Sequence, residues 1–399
     1  MLKDNGLINV AVFFGGDSVE HEVSIISAVQ AMKHLNREKY NVIPVYLAKD
    51  GKIYTSDIMY DIENFKYIPE LIKKSTSVVF YHSDNSVYMK SCKKNPFSGK
   101  KPLKLDVALP VVHGTNCEDG TLQGYFETLK LPYAGCDVTA SSIGMDKYVF
   151  KTVLKSCGIP VLDCIRFTYR EFVEYTSNIL TKVEENIGFP VIVKPVNLGS
   201  SVGISKVLEL PDLKNAIEKA FAFSDTILIE HAVSNLREIN CSVLGDGIEC
   251  KTSVCEEPIM TDEILSYENK YIDDSKSKGM ASLSRILPAE IPSDMSETIR
   301  EYASRTFKAI GGHGVARIDF LMDNKSKEVF VNEINTIPGS LAFYLWEASG
   351  MKYTELLDEL ISLAFKRERQ RENLKFDIET NILSSCNSLG SKGSKGSKF

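Results

Sequence analysis

Two eight-residue runs, VARIDFLM at 315–322 and EVFVNEIN at 328–335, flank the turn-rich stretch Asp323 to Lys327. Both alternate with the period of two that a strand requires, so the segment is expected to form a β-hairpin. Alternation puts Arg317 and Asp319 on one face of the first strand. On the second it puts Glu333 and Asn335 on one face, with Phe330 and Ile334 on the other. A hairpin symmetric about Ser326 then sets Asp319 opposite Glu333 and Arg317 opposite Asn335. Like charges directly opposed across strands are destabilising unless something positive lies between them. Two carboxylates and an amide oxygen are the hard ligands that Mg²⁺ prefers, so a divalent cation holding phosphates is the natural occupant. A solvated sheet face accounts for any one of these residues, but less well for four together. The following turn, Asn335 to Gly339, offers the Gly339 N–H beside this cluster as an oxyanion donor.

The rest of the chain supplies α/β units around that hairpin. Ile8 to Phe14 is an apolar strand, Gly15-Gly16-Asp17-Ser18 breaks it, and Glu22 to Leu35 has helical spacing, a Rossmann-like opening. Further strands at Asn41–Leu47 and Val107–Val112 make residues 1–143 an α/β domain with a mainly parallel sheet, although Tyr54 to Lys101 resists assignment. A second unit, 144–235, has strands at Pro190–Lys194, Gly203–Val207 and Thr226–Glu230 that read as antiparallel. A third, 236–366, has strands at Glu238–Leu244, Gly314–Met322 and Glu328–Asn335, then an amphipathic helix from Thr354 to about Arg369. Residues 256–282 are expected to be a mobile loop. The Gly/Ser/Lys-rich end, 367–399, reads as a disordered tail.

Composition narrows the partners. The 399 residues are 43% hydrophobic and 25% charged with a net charge of −6, which supplies no basic field for nucleic acid or a membrane surface. Nine cysteines, odd in number and without a C-x-x-C pair, suggest neither a disulfide framework nor a zinc site. No run of eighteen apolar residues and no leader-like start is seen, so a cytoplasmic location is expected.

A phosphate cradle is legible in VIVKPVNLGSSVG. Lys194 ends an apolar strand, and Gly199-Ser200-Ser201-Val202-Gly203 lets backbone N–H groups approach an anion while the serines add donors. No Gly-Lys-Ser/Thr opens a helix, so this is not a Walker A loop. An ordinary turn is the competing reading. Glu230, at the end of the strand TILIE, and Glu238 could accept from an adenine amino group and a ribose. Each alone could equally be a surface acid.

Six stretches in order resemble one family: GGDSVEHEVS (15–24), HGTNCEDGTLQG (113–124), GMDK (144–147), VIVKPVNLGSSVG (191–203), ARIDF (316–320) and NEINTIPG (332–339). Over residues 8 to 366 the chain resembles the D-alanine:D-alanine ligases of the ATP-grasp superfamily. The resemblance implies an N-terminal Rossmann-like domain, central and C-terminal ATP-grasp domains, ATP and Mg²⁺ (or Mn²⁺) as cofactors, D-amino acids as substrates, and commonly a homodimer. It implies that Lys147, Lys194, Ser200, Ser201 and Lys270 contact ATP phosphates, that Glu230 and Glu238 hold adenine and ribose, and that Asp319, Glu333 and Asn335 bind the metal. Arg317 and the Gly339 N–H would stabilise the tetrahedral intermediate. Glu20 would receive the first ammonium, His113 would lie near that substrate, and Ser200 and Tyr271 would join Glu20 in closing the loop.

One departure touches the second substrate. Family members usually continue after N-T-I-P-G with a threonine and then a serine that holds the second carboxylate, whereas here the run is Ser340-Leu341-Ala342-Phe343-Tyr344 and Tyr344 takes the serine's place. The implied activity is synthesis of D-alanyl-D-alanine for cell-wall precursors. Alternatives are a D-alanine:D-serine ligase of the vancomycin-resistance type, another ATP-grasp amino-acid ligase, and a non-catalytic relative that would lack a metal ligand.

Overall fold

The computed structural model describes residues 6–92, 101–199, 202–259 and 285–375. Among them are three sheets. The first takes β1 (Ile8–Gly15), β2 (Tyr40–Leu47), β3 (Ile53–Thr55), β4 (Thr76–Ser83), β5 (Ser86–Ser91), β6 (Leu103–Leu105) and β7 (Val107–Pro110), in the order β6-β5-β4-β3-β2-β1-β7. Only β2, β1 and β7 run parallel; the others pair antiparallel, so this sheet is mixed rather than mainly parallel. Of the four added strands, β4, β5 and most of β3 come from the stretch whose sequence resists assignment, and β6 follows it. Val10 to Phe14 are fully buried, as expected of a central parallel strand covered on both faces.

The second sheet is antiparallel, in the order β10-β9-β11-β8, from β8 (Cys164–Thr168), β9 (Val191–Pro195), β10 (Ser205–Val207) and β11 (Thr226–His231). Its core, built around Phe167, Val193 and Ile229, is separate from the others. The third runs β14-β13-β12-β15-β16, from β12 (Leu236–Gly245), β13 (Cys250–Pro258), β14 (Arg285–Ile286), β15 (Gly314–Asp323) and β16 (Val329–Asn335).

Along β15, Ala316, Ile318, Phe320 and Met322 are buried in one core with Ile299, Ala303 and Phe307 of the helix Ser293–Ala309. Each large side chain so buried contributes about 1.5–3 kcal/mol. A one-residue slip would turn that whole set to the other face, so the core fixes which way Arg317 and Asp319 point.

Two expected boundaries shift. Residues 256–258 belong to β13 rather than to the expected loop of 256–282, and residues 260–282 of that loop lie outside the described residues. The last helix, Tyr353–Glu372, runs past the expected start of the tail at 367. Arg367 donates to the Gly135 and Tyr133 carbonyls and Arg371 pairs with Glu127, so the first sheet's domain anchors that extra turn. Residues 376–399 lie outside the described residues.

Candidate active site

The hairpin forms with the expected pairing at its functional end. Arg317 lies opposite Asn335 and Asp319 opposite Glu333. Between Asp319 and Phe320 the register then shifts by one, so Phe320 faces Val331 and Asn332 is the extra residue of a bulge. The bulge changes one expected facing: Val329, Val331 and Ile334 join the core while Phe330 does not, so Phe330 does not share a face with Ile334. Arg317 grips Asp319 through two parallel bonds, Nε to Oδ1 and Nη2 to Oδ2, both 2.7 Å. Although burial opposes it, the Asp319 carboxylate holds the Arg317 pKa well above its ordinary value. Asn335 Nδ2 also donates to Asp319, at 3.1 Å.

Two lysines enter from the second unit. Lys147 opens the helix Lys147–Ser156, which Asp146 caps by accepting from the Tyr148 and Val149 N–H groups. Its ammonium donates to the Leu198 carbonyl at 2.8 Å and lies 3.4 Å from Glu333 Oε2. Lys194 on β9 donates to Glu230 Oε1 at 2.5 Å and to Asn332 Oδ1 at 3.1 Å. Glu230 is buried between two ammoniums, since Lys151 Nζ lies 2.9 Å from its other oxygen. Burial alone would raise the Glu230 pKa, but Lys151 and Lys194 outweigh it and hold it at about 2. That carboxylate is therefore ionised and engaged with lysines.

A cavity of about 540 Å³ opens between the second and third sheets, lined among others by Lys147, Lys194, Glu230, Glu238, Asp319 and Glu333. Its volume suits a small-molecule cofactor. A smaller cavity lined by Glu20, Glu118, Lys147, Gly199, Glu333 and Asn335 adjoins it, sharing Lys147, Gly199 and Glu333. Gly199 brings the phosphate-cradle backbone against Glu20: a Cβ there would stand 3.6 Å from Glu20 Oε1.

Glu20 itself is buried at the start of the helix His21–His34. His113 is buried beyond β7, with Nδ1 2.7 Å from the Ile337 carbonyl and Nε2 3.2 Å from Ser27 Oγ, and burial lowers its pKa. These contacts are those of a histidine holding the turn in place. Glu118, present in the HGTNCEDG stretch but not singled out from it, accepts from Gly114 N–H and Ile337 N–H. Burial and the neighbouring Glu20 carboxylate push its pKa up to about 8.

After Gly339 the chain makes a left-handed turn: Ser340, Leu341 and Ala342 have φ of 49°, 56° and 51°. Such residues cost about 1–2 kcal/mol each, so surrounding bonds must hold them. Ser340 N–H donates to Ser27 Oγ, Ser340 Oγ to Gln30 Oε1, and Leu341 N–H to the Pro338 carbonyl. Tyr344 then lies buried, its hydroxyl donating to Glu256 Oε1 at 2.8 Å.

Of the residues singled out from sequence, Glu20, His113, Lys147, Lys194, Glu230, Glu238, Arg317, Asp319, Glu333, Asn335, Gly339 and Tyr344 are described. Ser200, Ser201, Lys270 and Tyr271 lie outside the described residues. The sequence reading missed Asn332, Lys151, Glu118, Glu256 and Arg285. Lys151 carried one signal, its i+4 spacing from Lys147 on a helix face. The oxygen atoms of Asp319, Glu333 and Asn335 match the chemistry of a hard divalent cation.

Known proteins place this geometry in a family. The descriptions "D-ala D-ala ligase N-terminus" and "D-ala D-ala ligase C-terminus" match residues 9–136 and 153–362. The D-alanine–D-alanine ligase of Thermosipho africanus is 40% identical over 94% of this chain and 98% of its own. That of Caldicellulosiruptor bescii is 40% identical over 93% and 99%. Among solved structures, the D-alanine-D-alanine ligase from Coxiella burnetii superposes with a TM-score of 0.76 at 30% identity, covering 92% of this chain and 96% of its own. The VanG D-Ala:D-Ser ligase from Enterococcus faecalis also gives 0.76, at 29% identity over 90% and 99%. The chain belongs to the D-alanine–D-alanine ligase family, with its ATP-grasp fold.

Proposed function

We propose that this protein joins two D-alanine molecules at the expense of ATP, through a D-alanyl phosphate, to make D-alanyl-D-alanine for peptidoglycan precursors. The observation that carries the mechanism is the polar end of the hairpin, where Asp319, Glu333, Arg317 and Asn335 meet beside two lysines and a nucleotide-sized cavity. ATP occupies the larger cavity, with its phosphates toward Lys147 and Lys194 and its ribose toward Glu238. Glu230 keeps Lys194 placed, and the β-strand backbone beyond Glu230 borders the adenine. Asp319, Glu333 and Asn335 would hold Mg²⁺, which supplies charge neutralisation on the transferring phosphoryl group. The first D-alanine lies in the smaller cavity with its ammonium toward Glu20.

Its carboxylate oxygen bonds to the γ-phosphorus as the bridging bond to ADP breaks. The second amine, having released its ammonium proton to solvent, attacks the acyl carbon; phosphate leaves with the C–O electron pair and the amide nitrogen sheds one further proton. Arg317 and the Gly339 N–H face the oxyanion formed between those events. Lys270, Ser200, Ser201 and Tyr271 belong to the same proposal as phosphate donors and as the closure that keeps water from the acyl-phosphate.

Among the described residues no helix is long and apolar enough to cross a membrane. A cytoplasmic location and a homodimer complete the proposal. D-Serine as second substrate is the one competing reading, favoured by Tyr344 and by the likeness to VanG. Phosphate release from ATP and Mg²⁺ with D-alanine alone, then with added D-serine, separates them by product mass. Turnover with D-alanine alone to D-alanyl-D-alanine is expected; turnover only after D-serine is added would move the assignment to the mixed ligase.

A further inference from the structure

The third sheet carries a row of polar side chains across one face that extends beyond the hairpin. Asp319 lies opposite Glu333 on one side and Asn240 on the other, and Asn240 lies opposite Glu256. Arg285 pairs with Pro258, two residues from Glu256, and so shares that face. Adjacent strands stand about 4.8 Å apart, so Glu256 is on the order of 10 Å from Asp319 along the row.

At that far end the contacts are dense. Arg285 Nη1 lies 2.9 Å from Glu256 Oε2, and Asn240 Nδ2 donates to Glu256 Oε1 at 3.1 Å. The Arg285 guanidinium carbon stands 3.9 Å from the centre of the Tyr344 ring. Both side chains of the Arg285–Glu256 pair are largely buried, at 11% and 3% exposure. Burying such a pair is costly, and surrounding it with a stacked ring and an amide fixes its orientation.

Tyr344 occupies the place from which the family pattern would donate a hydroxyl to the second substrate's carboxylate. A tyrosine has one O–H proton, and here it is donated to Glu256. Donation to the substrate therefore has to come from elsewhere. A guanidinium lying over a ring covers one of its own faces and leaves the N–H edge, in its own plane, to bind at the side, where its fork matches a carboxylate. The second amino acid's amine must approach the acyl carbon near Arg317, and its carboxylate is repelled from the phosphate end of the row. It is driven toward β13 and β14, where Arg285 supplies positive charge.

We propose that Arg285, oriented by Glu256 and Tyr344, binds the carboxylate of the second amino acid. Glu256 and Tyr344 are positioning residues, and Tyr344 acts through the arginine rather than through its own hydroxyl. The inference rests on the ligase reading above.

D-Alaninamide isolates the point, because it keeps the amine and the methyl group but has no carboxylate and cannot serve as the first substrate. Equal concentrations of D-alanine and D-alaninamide are supplied with ATP and Mg²⁺, and the ratio of dipeptide to dipeptide amide is read by mass. The ratio is taken within one reaction, so loss of folded enzyme cancels. The unaltered protein is expected to favour the dipeptide by about a hundredfold, because the amide leaves a buried charged partner unpaired. Arg285→Met is expected to lower that ratio at least about tenfold, with Arg285→Lys between the two and Tyr344→Phe reducing it less. An unchanged ratio in Arg285→Met overturns the inference. Should that variant form no product, the ratio from Arg285→Lys decides in the same way. If the unaltered protein forms neither product, the ligase reading itself fails, and the two failures are distinguished.

Discussion

Glu118 and Glu230 are both buried acids near the site, and their surroundings push them in opposite directions. Glu230 lies between two ammoniums and is held at about 2, whereas Glu118 faces Glu20 and is pushed up to about 8 from an ordinary 4.5. For Glu118 the folded pKa exceeds the unfolded one, so the folded state binds a proton that the unfolded chain releases. That stabilisation is full below pH 4.5 and is lost as pH rises through about 8. Between those values the stability of the unaltered protein is expected to fall more steeply than that of Glu118→Gln, measured by denaturant unfolding at a series of pH values. Parallel slopes would show that Glu118 does not carry the proton. For Glu230 the sign reverses: its contribution is present above pH 4.5 and is lost as pH falls through about 2. Neither effect was legible in sequence. Both acids stand in recognisable stretches, but the partners that set their charge, Lys151 and Glu20, are 79 and 98 residues away in the chain.

At the scale of elements, alternation alone located the hairpin and the facing of Arg317, Asp319, Glu333 and Asn335, because a buried core on one side of β15 permits a single register. Counting with a period of two assumes a regular strand, so it missed the bulge at Asn332 and misplaced Phe330. The strands between Ile53 and Leu105 were illegible for a related reason: much of their surface is partly exposed, and a half-solvated strand carries a weak apolar signal. The bulge makes a sharp prediction. Deleting Asn332 leaves Val329, Val331 and Ile334 inward by simple alternation and keeps Asp319 opposite Glu333. The variant is expected to fold cooperatively and retain turnover while its KM for ATP rises several-fold, since Lys194 loses its amide partner. Loss of turnover with KM unchanged would mean that Asn332 serves the chemistry rather than the placement of Lys194.

At the scale of the molecule, the proposed active site draws on the surroundings of all three sheets, each contributing a different kind of group. The first supplies Glu20 and His113, the second the lysines, and the third the acidic hairpin. The first and third are welded together: residues of β1, the helix His21–His34 and the helix Tyr353–Glu372 share one core, and His113 and Glu118 bond the Ile337 backbone. The second keeps its own core and meets the third across the large cavity. A ligand bridging that cavity binds the folded state alone and raises stability by RT ln(1 + [L]/Kd), about 2.7 kcal/mol at a hundred times Kd. ATP with Mg²⁺ is therefore expected to raise the melting temperature by several degrees, and ATP with EDTA by much less. Equal shifts in the two conditions would contradict a metal held by Asp319, Glu333 and Asn335. The order of the sequence stretches anticipates most strands of the three sheets in outline. The end of the site built from Glu256 and Arg285 stayed hidden because those residues stand 29 positions apart in the chain and meet only in the sheet.

The central claim is that this chain activates D-alanine as an acyl-phosphate, and the fate of a carboxylate oxygen tests it most directly. D-Alanine labelled with oxygen-18 in its carboxylate is incubated with ATP and Mg²⁺, and the phosphate and dipeptide are analysed by mass. One labelled oxygen is expected in inorganic phosphate for each D-alanyl-D-alanine formed. Label in AMP, or unlabelled phosphate beside the dipeptide, would contradict the account.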